Sequence, residues 1–356
     1  MSLFINAYDG DNTLTTSIGY RNPSSTSTSS QVSTWKVRPY GRTTYLYNGS
    51  YTYDTRGNIL TVSDGTYTNS YHYDEFDRLV REDHEASGKT WVYTYDDGGN
   101  ILSKKEYAYT TGALGTVRST ISYSYNNSEW RDLLTAYNGK SITYDAMGNP
   151  LSDGTWTYAW QHGRQLASMS KTGSSITYGY NADGKRISKT VNGTTYNYSY
   201  LGDQLTEMTW GSNKLHFTYD SLGPASVTYN GNRYFYLKNA QGDVTGLVNA
   251  SGTMASTLGA ANPLRYRGYV YDTETGLYYL SSRYYNPVWG RFINADTADV
   301  LGASPDKANW DKNLFAYCDN DPVNRKDDGG EFWHIIAAGA INNAVTQIHE
   351  KGSVRL

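Results

Sequence analysis

Residue types able to do chemistry are sparse in this sequence, and their spacing narrows what that chemistry can be. The six histidines, His72, His84, His162, His216, His334 and His349, stand singly and read as surface or strand histidines. Cys318 is the single cysteine, so it forms no internal disulfide. No Cys or His accompanies it at zinc-ligand spacing, and a small buried side chain is the expectation. Asp9-Gly-Asp11-Asn-Thr13 has the beginning of a calcium loop but not its later glycine and bidentate glutamate. Phosphate-binding Gly-x-x-x-x-Gly-Lys-Ser/Thr, Gly-x-Gly-x-x-Gly, the nucleophile elbow Gly-x-Ser-x-Gly and His-Glu-x-x-His are all missing from the sequence. No cofactor or metal is therefore expected. Read alone, Asp296 is an N-cap or loop acid, Asp327 and Asp328 a solvated turn pair, and Arg283 a strand arginine stacked on tyrosines.

The elements that would hold these residues follow from composition and repetition. Hydrophobic residues are 38% of the 356, below the roughly 45–50% of a typical globular chain. The 36 tyrosines, about one residue in ten, must supply much of the apolar surface. With 35 glycines and 8 prolines, this is a chain of short strands and tight turns, which excludes an α-helical protein. A net charge of −3 gives no footprint for nucleic acid or anionic lipid. The N-terminal Met1-Ser-Leu-Phe-Ile-Asn6 lacks a signal peptide's basic and apolar regions, and no stretch reaches the ~20 apolar residues of a membrane span.

An aromatic-x-aromatic-Asp unit recurs, followed four residues later by Asn, Arg or Lys and then an aliphatic residue. Clear copies are Tyr51-x-Tyr53-Asp54 with Asn58-Ile-Leu60, Tyr71-x-Tyr73-Asp74 with Arg78-Leu79, Tyr93-x-Tyr95-Asp96 with Asn100-Ile101, and Tyr144-Asp145 with Asn149. Looser copies follow near Tyr158, Tyr178, Tyr198 and Tyr219. Asp54, Asp74 and Asp96 stand 20 and 22 residues apart, and a period near that length runs through most of the chain. Each unit reads as a hairpin. Tyr-x-Tyr puts two aromatics on one strand face, and the Asp-x-x-Gly-Asn stretch supplies the turn. Stacked hairpins would give a long spiralling antiparallel sheet with Tyr ladders across its strands. Two loops interrupt the pattern, a Ser/Thr-rich insertion at about 21–34 and the run around Thr111 to Gly115.

From about residue 262 the texture changes to Tyr266-Arg-Gly-Tyr-Val-Tyr-Asp272, Gly276-Leu-Tyr-Tyr-Leu280, Arg283-Tyr-Tyr-Asn-Pro287, Trp289-Gly-Arg-Phe292 and Asn320-Asp-Pro-Val-Asn324. These blocks closely resemble the repeat-associated core of the Rhs/YD-repeat family, and the hairpin units resemble its YD repeats. The resemblance implies an all-β fold in three parts. A YD-repeat shell would occupy 1–261 and the core 262–330. Residues 331–356 would be the start of a variable C-terminal region, with one helix predicted from its apolar pattern. In the family such shells spiral around a C-terminal toxin that they protect and deliver, as in polymorphic toxins, toxin-complex C subunits, wall-associated proteins and teneurin shells. The implied function is thus a shell of a secreted or cell-surface toxin whose partner is its own C-terminal region. Residues 331–356 are too short for that cargo, so a piece of a longer protein, with an open shell, is the expectation.

The resemblance also implies one reaction, aspartyl self-cleavage after an Asp-Pro-x-Gly motif. Two carboxylates sharing a proton let one activate water while the other protonates the scissile group. Matched position by position, Asp296 would be one carboxylate and Asp327 the second, with Asp328 as the alternate. Arg283 would hold a carboxylate charged or position the strand to be cut, and cleavage would fall near Glu331 and Phe332. The sequence departs from the motif here, with Asp328 in the proline position and Glu331 in place of an aliphatic residue. Without that reaction the chain is a noncatalytic shell. The competing reading is a carbohydrate- or cell-wall-binding aromatic repeat, since tyrosine faces stack on sugar rings; a membrane-active start at 331–356 is weaker, being below spanning length. Exposed sheet edges would favour self-association.

Overall fold

The computed structural model describes residues 3–7, 14–20, 30–37, 44–220, 223–251, 253–255, 258–296, 313–327, 329–330 and 333–335. The fold is a spiralling antiparallel β-hairpin repeat. Twelve strands from Leu3–Ala7 to Lys140–Ser141 form one sheet and twelve from Thr143–Tyr144 to Val244–Asn249 form a second, each strand pairing with the next in sequence. A four-stranded sheet follows, made of Val270–Asp272, Leu277–Leu280, Arg283–Asn286 and Arg291–Phe292.

The turn motif explains itself in hydrogen bonds. Asp54 Oδ1 accepts from the backbone N–H groups of Arg56 (2.9 Å) and Asn58 (2.8 Å), while its Oδ2 accepts from Asn58 Nδ2 (3.0 Å). Asp145 does the same with Met147 and Asn149, and Asn181 and Asn239 do it for the looser copies. In the copy at Asp74, Arg78 Nε replaces the asparagine amide at 2.6 Å. Position four of the turn needs positive φ, which is why it is glycine at Gly57 (φ 92°) and Gly148 (φ 77°).

The tyrosines have an equally specific use. In four units the second aromatic donates its hydroxyl back to the aliphatic residue's carbonyl in the preceding unit: Tyr73 to Ile59 (2.8 Å), Tyr95 to Leu79 (2.6 Å), Tyr180 to Leu166 (2.9 Å) and Tyr219 to Leu205 (2.8 Å). Each ring thereby covers apolar area while its polar end is satisfied by the neighbouring repeat. Along the second sheet, Leu166, Met169, Ile176, Leu215, Phe217 and Val227 are buried in one apolar cluster with Leu277, Tyr284 and Ile293 of the segment that follows.

That segment is tied to both sheets by polar anchors. Arg186, fully buried, pairs with Asp272 through two nitrogens (2.5 and 3.1 Å), and Lys189 bonds both Asp272 and Glu274 at 2.9 Å. On the first sheet, Asn324 Oδ1 accepts from Ile59 N (2.7 Å), Asn320 Nδ2 donates to Gly99 O (2.7 Å), and Arg291 reaches Tyr125 Oη and the Asp132 carbonyl. Tyr51 Oη accepts from Ala240 N (3.2 Å), joining the two sheets directly.

Two local expectations change. Residues 333–335 of the predicted C-terminal helix form a strand, Trp333–Ile335, paired with Arg325–Asp327. An aromatic and a β-branched residue beside an available strand edge favour pairing over helix. The other residues of 331–356 lie outside the described ones. Of the insertion at about 21–34, residues 30–34 belong to the strand Ser30–Val37, which is paired on both sides; residues 21–29 and the Asp9-Gly-Asp11 stretch lie outside the described residues. The run around Thr111 to Gly115 has no strand or helix.

Candidate functional site

The three residues singled out in the sequence, Arg283, Asp296 and Asp327, come together although 44 residues separate the first from the last. Arg283 opens the strand Arg283–Asn286, which lies antiparallel to both Leu277–Leu280 and Arg291–Phe292. Its guanidinium is buried over the Phe292 ring, 3.6 Å from the centroid, so the stacking partner is phenylalanine rather than the expected tyrosine. Nη2 lies 2.8 Å from Asp296 Oδ2 and 3.7 Å from Asp327 Oδ2, Nη1 donates to the Leu314 carbonyl (2.9 Å), and Nε donates to the Gly330 carbonyl. One side chain thus links both carboxylates and the last residue of the glycine turn.

Asp296 is buried, 5% exposed, at the end of a segment pinned along its backbone. Phe292 N donates to Phe315 O (2.9 Å), Ile293 N to Tyr284 O (3.0 Å) and Asp296 N to Leu314 O (3.0 Å), while Arg164 of the second sheet donates to the Ala295 carbonyl. Asp327 ends the strand Arg325–Asp327 and is 3% exposed, so it is not the solvated turn acid its neighbours suggested. The Tyr269 hydroxyl beneath the turn takes up its backbone N–H at 2.9 Å. Its Oδ1 accepts from the N–H groups of Gly329 (3.2 Å) and Gly330 (2.6 Å), folding the chain back on itself. Ser282 completes the seat, its N and Oγ donating to the Gly329 carbonyl at 3.1 and 2.7 Å. Asp328, Glu331 and Phe332 lie outside the described residues.

Gly330 has no freedom to be another residue. Its φ is +81°, and a Cβ there would stand 2.6 Å from Ser282 Oγ, 2.8 Å from the Leu280 carbonyl and 3.1 Å from Arg283 N. A cleft of about 490 Å³ opens beside the turn, bounded by Arg283, Asn294, Asp296 and Gly329 on one side and by Arg164 and Lys185 on the other. The sequence reading missed Asn294, Ser282 and Arg164. The first two sit two and one positions from Asp296 and Arg283, a proximity that was the available signal; Arg164 carried none.

This architecture is that of an Rhs-type repeat shell, with the segment after the second sheet seated on two hairpin sheets. The family model described as RHS Repeat matches residues 73–110. The chain is 38% identical over 245 residues, 62% of its length, to the tRNA3(Ser)-specific nuclease WapA of Bacillus spizizenii, and 37% identical over 245 residues to the tRNA nuclease WapA of Bacillus subtilis. To the double-stranded DNA deaminase toxin A of Burkholderia cenocepacia it is 26% identical over 78% of its length. The chain spans 10% of each of the two WapA relatives and 16% of the deaminase toxin. Its fold matches that of the crystal structure of TcdB2-TccC3 with a TM-score of 0.58 at 16% identity, over 91% of this chain and 19% of that one. A Tc holotoxin pore of Photorhabdus luminescens matches with a TM-score of 0.57 at 16% identity, over 93% of this chain and 20% of that one. The chain thus carries an RHS repeat and is similar to these toxins over part of its length.

Proposed function

We propose that this chain is shell from an Rhs-type polymorphic toxin that encloses its own C-terminal toxin region, acts at the cell surface or after secretion, and releases its cargo by cutting itself at Gly330. Residues 1–261 would be the repeat shell and 262–330 the core. The observation that carries the cleavage reading is the shared guanidinium of Arg283, which touches both carboxylates and the Gly330 carbonyl.

The reaction is hydrolysis of the Gly330–Glu331 peptide bond. Water adds to the Gly330 carbonyl carbon as the Asp296 carboxylate takes its proton. Arg283 Nε faces the carbonyl oxygen on which negative charge develops, where a fixed donor does most for the rate. The C–N bond then breaks, the Glu331 nitrogen takes a proton from the carboxyl pair, and the products are a Gly330 carboxylate and a Glu331 amine. Asp327 keeps the turn folded through its bonds to Gly329 and Gly330 and serves as the second carboxylate. Asp328, in the motif's proline position, is the alternate if Asp327 is confined to shaping the turn. The intact mass of the purified protein, followed over days beside Asp296→Asn, tests this. A species lacking residues 331–356 in wild type alone supports the reading; two uncut samples leave a noncatalytic shell.

A second reading rests on a different surface. Tyr196, Trp210 and Tyr229 stack in a row, with ring centroids 5.7 and 6.2 Å apart and interplanar angles of 29° and 12°. Tyr196 and Trp210 border a cleft of about 290 Å³ that also holds Lys189 and Glu274. Flat rings beside charged hydrogen-bonding groups suit a sugar ring. A glycan array probed with wild type and Trp210→Ala tests it, and an array without signal removes it.

A further inference from the structure

We propose that Asn294 is a positioning residue that holds and orients the attacking water, an inference that rests on the self-cleavage reading above. Asn294 is 0% exposed and borders the cleft with Arg283, Asp296 and Gly329. Among the described residues neither its Oδ1 nor its Nδ2 has a hydrogen-bond partner, and no other buried side chain there has two orphaned atoms. Leaving a buried amide unpaired costs roughly 1–3 kcal/mol for each group, so such atoms are ordinarily satisfied by protein or by ordered water.

Asn294 stands in a pinned stretch of chain. The backbone on both sides is held through Phe292 N, Ile293 N, the Ala295 carbonyl and Asp296 N. Asn294 lines a cleft whose volume of about 490 Å³ exceeds the ~30 Å³ share of one water many times over. A carboxamide is suited to this work, because its oxygen accepts one water proton and its nitrogen donates to the water oxygen. A second water proton is then left for Asp296, two residues along the same pinned segment. Asn294 itself makes and breaks no bond in this scheme. The site would thus have three functions on three side chains: water held by Asn294, proton removed by Asp296, carbonyl held by Arg283.

Three measurements decide it together. Asn294→Leu keeps the volume and removes both polar atoms, so its melting temperature is expected to match or exceed that of wild type while the first-order rate of cleavage, read by intact mass, falls about 100-fold. Asn294→Ser, whose hydroxyl can still bind water, is expected to recover part of that rate, which a purely structural role would not produce. A leucine variant that is folded and cuts at the wild-type rate overturns the proposal. A high-resolution crystal structure of the full chain covers the remaining cases, including a leucine variant that does not fold. It is expected to show an ordered water within hydrogen-bond distance of both the Asn294 carboxamide and the Asp296 carboxylate. An Asn294 paired with protein, or a dry site, overturns the proposal even if wild type is never cut. Uncut wild type with that water in place removes the cleavage reading and keeps Asn294 as a water site.

Discussion

Arg283 and Gly330 are joined by a hydrogen bond from a buried guanidinium to a backbone carbonyl, and that one bond ties a strand of the core to the turn proposed for cutting. The same guanidinium contacts Asp296 and Asp327, so removing it should do more than loosen a turn. Arg283→Lys keeps a positive charge but cannot span three partners with one planar fork. It should leave the protein folded and lower the cleavage rate at least about 100-fold, by analogy with the loss of one oxyanion donor. Intact-mass time courses at equal protein concentration measure it, and cleavage at the wild-type rate would show that the guanidinium geometry is irrelevant.

Gly330→Ala places a methyl group 2.6 Å from Ser282 Oγ and 2.8 Å from the Leu280 carbonyl at a positive φ. The serine can rotate aside but the carbonyl cannot, so the turn must shift from its seat. Cleavage should be lost while the shell stays intact, because the repeats do not depend on this turn. Circular dichroism unchanged from wild type, with no cleavage product after days, is the expected pair of results.

Asp272 neutralises two buried cations, Arg186 and Lys189, and they in turn hold its carboxyl below its ordinary value against the effect of burial. Asp272→Asn leaves both cations short of a counterion inside the protein. Breaking such a buried pair from one side costs about 3–5 kcal/mol. Urea denaturation should show that loss, and a cost below about 1 kcal/mol would mean that Glu274 alone suffices for Lys189.

The tyrosine rungs permit a paired comparison. Tyr95→Phe removes a 2.6 Å bond to the Leu79 carbonyl and leaves that buried acceptor short, so a loss of about 1 kcal/mol is expected. Tyr200 stands at the equivalent place one period after Tyr180, but its buried hydroxyl has no partner among the described residues. Tyr200→Phe should therefore be neutral or slightly stabilising in the same denaturation assay.

Asp321 gives a pH signature. Burial pushes its carboxyl up to about 6, against the opposing pull of Arg325 and the Asn324 hydrogen bonds. The unfolded chain would hold this group at its ordinary value, so folding takes up a proton between about pH 4 and 6. Its contribution to stability is fully present below about pH 4 and is lost as pH rises through about 6; a shift of two units corresponds to about 3 kcal/mol. Asp321→Asn should remove that slope. If wild type and variant lose stability in parallel between pH 4 and 7, another group is responsible.

Much of the fold is legible in the sequence because repetition exposes it. An Asp followed four residues later by Asn or Arg, with Gly between, predicts a turn, and Asp54, Asp96 and Asp145 form it through the same bonds. The carboxylate pair and Arg283 are legible only through likeness to a family, since nothing in the spacing of residues 283, 296 and 327 brings them together. Two features are hidden for a physical reason. Arg186 occupies the position where other units carry Ile59, Leu79 or Ile101, and it is accommodated there because Asp272, 86 residues on, meets it. Asn294 reads as an ordinary loop asparagine, since burial of both amide ends depends on the tertiary packing of strands far apart in the chain.

The anchors at Asn324, Asn320 and Tyr51 bear on the order in which the molecule is assembled. Each hairpin is local and can form as it leaves the ribosome, but Asn324 meets Ile59 across 265 residues, Asn320 meets Gly99 across 221, and Tyr51 meets Ala240 across 189. Contacts of such separation carry the largest loop-closure entropy and form late. The turn at Gly330 can take its seat on Arg283 only after the preceding hairpins have been made. Under the cleavage proposed above, an immature chain would be spared premature scission, since the seat of the turn does not exist until translation has passed it.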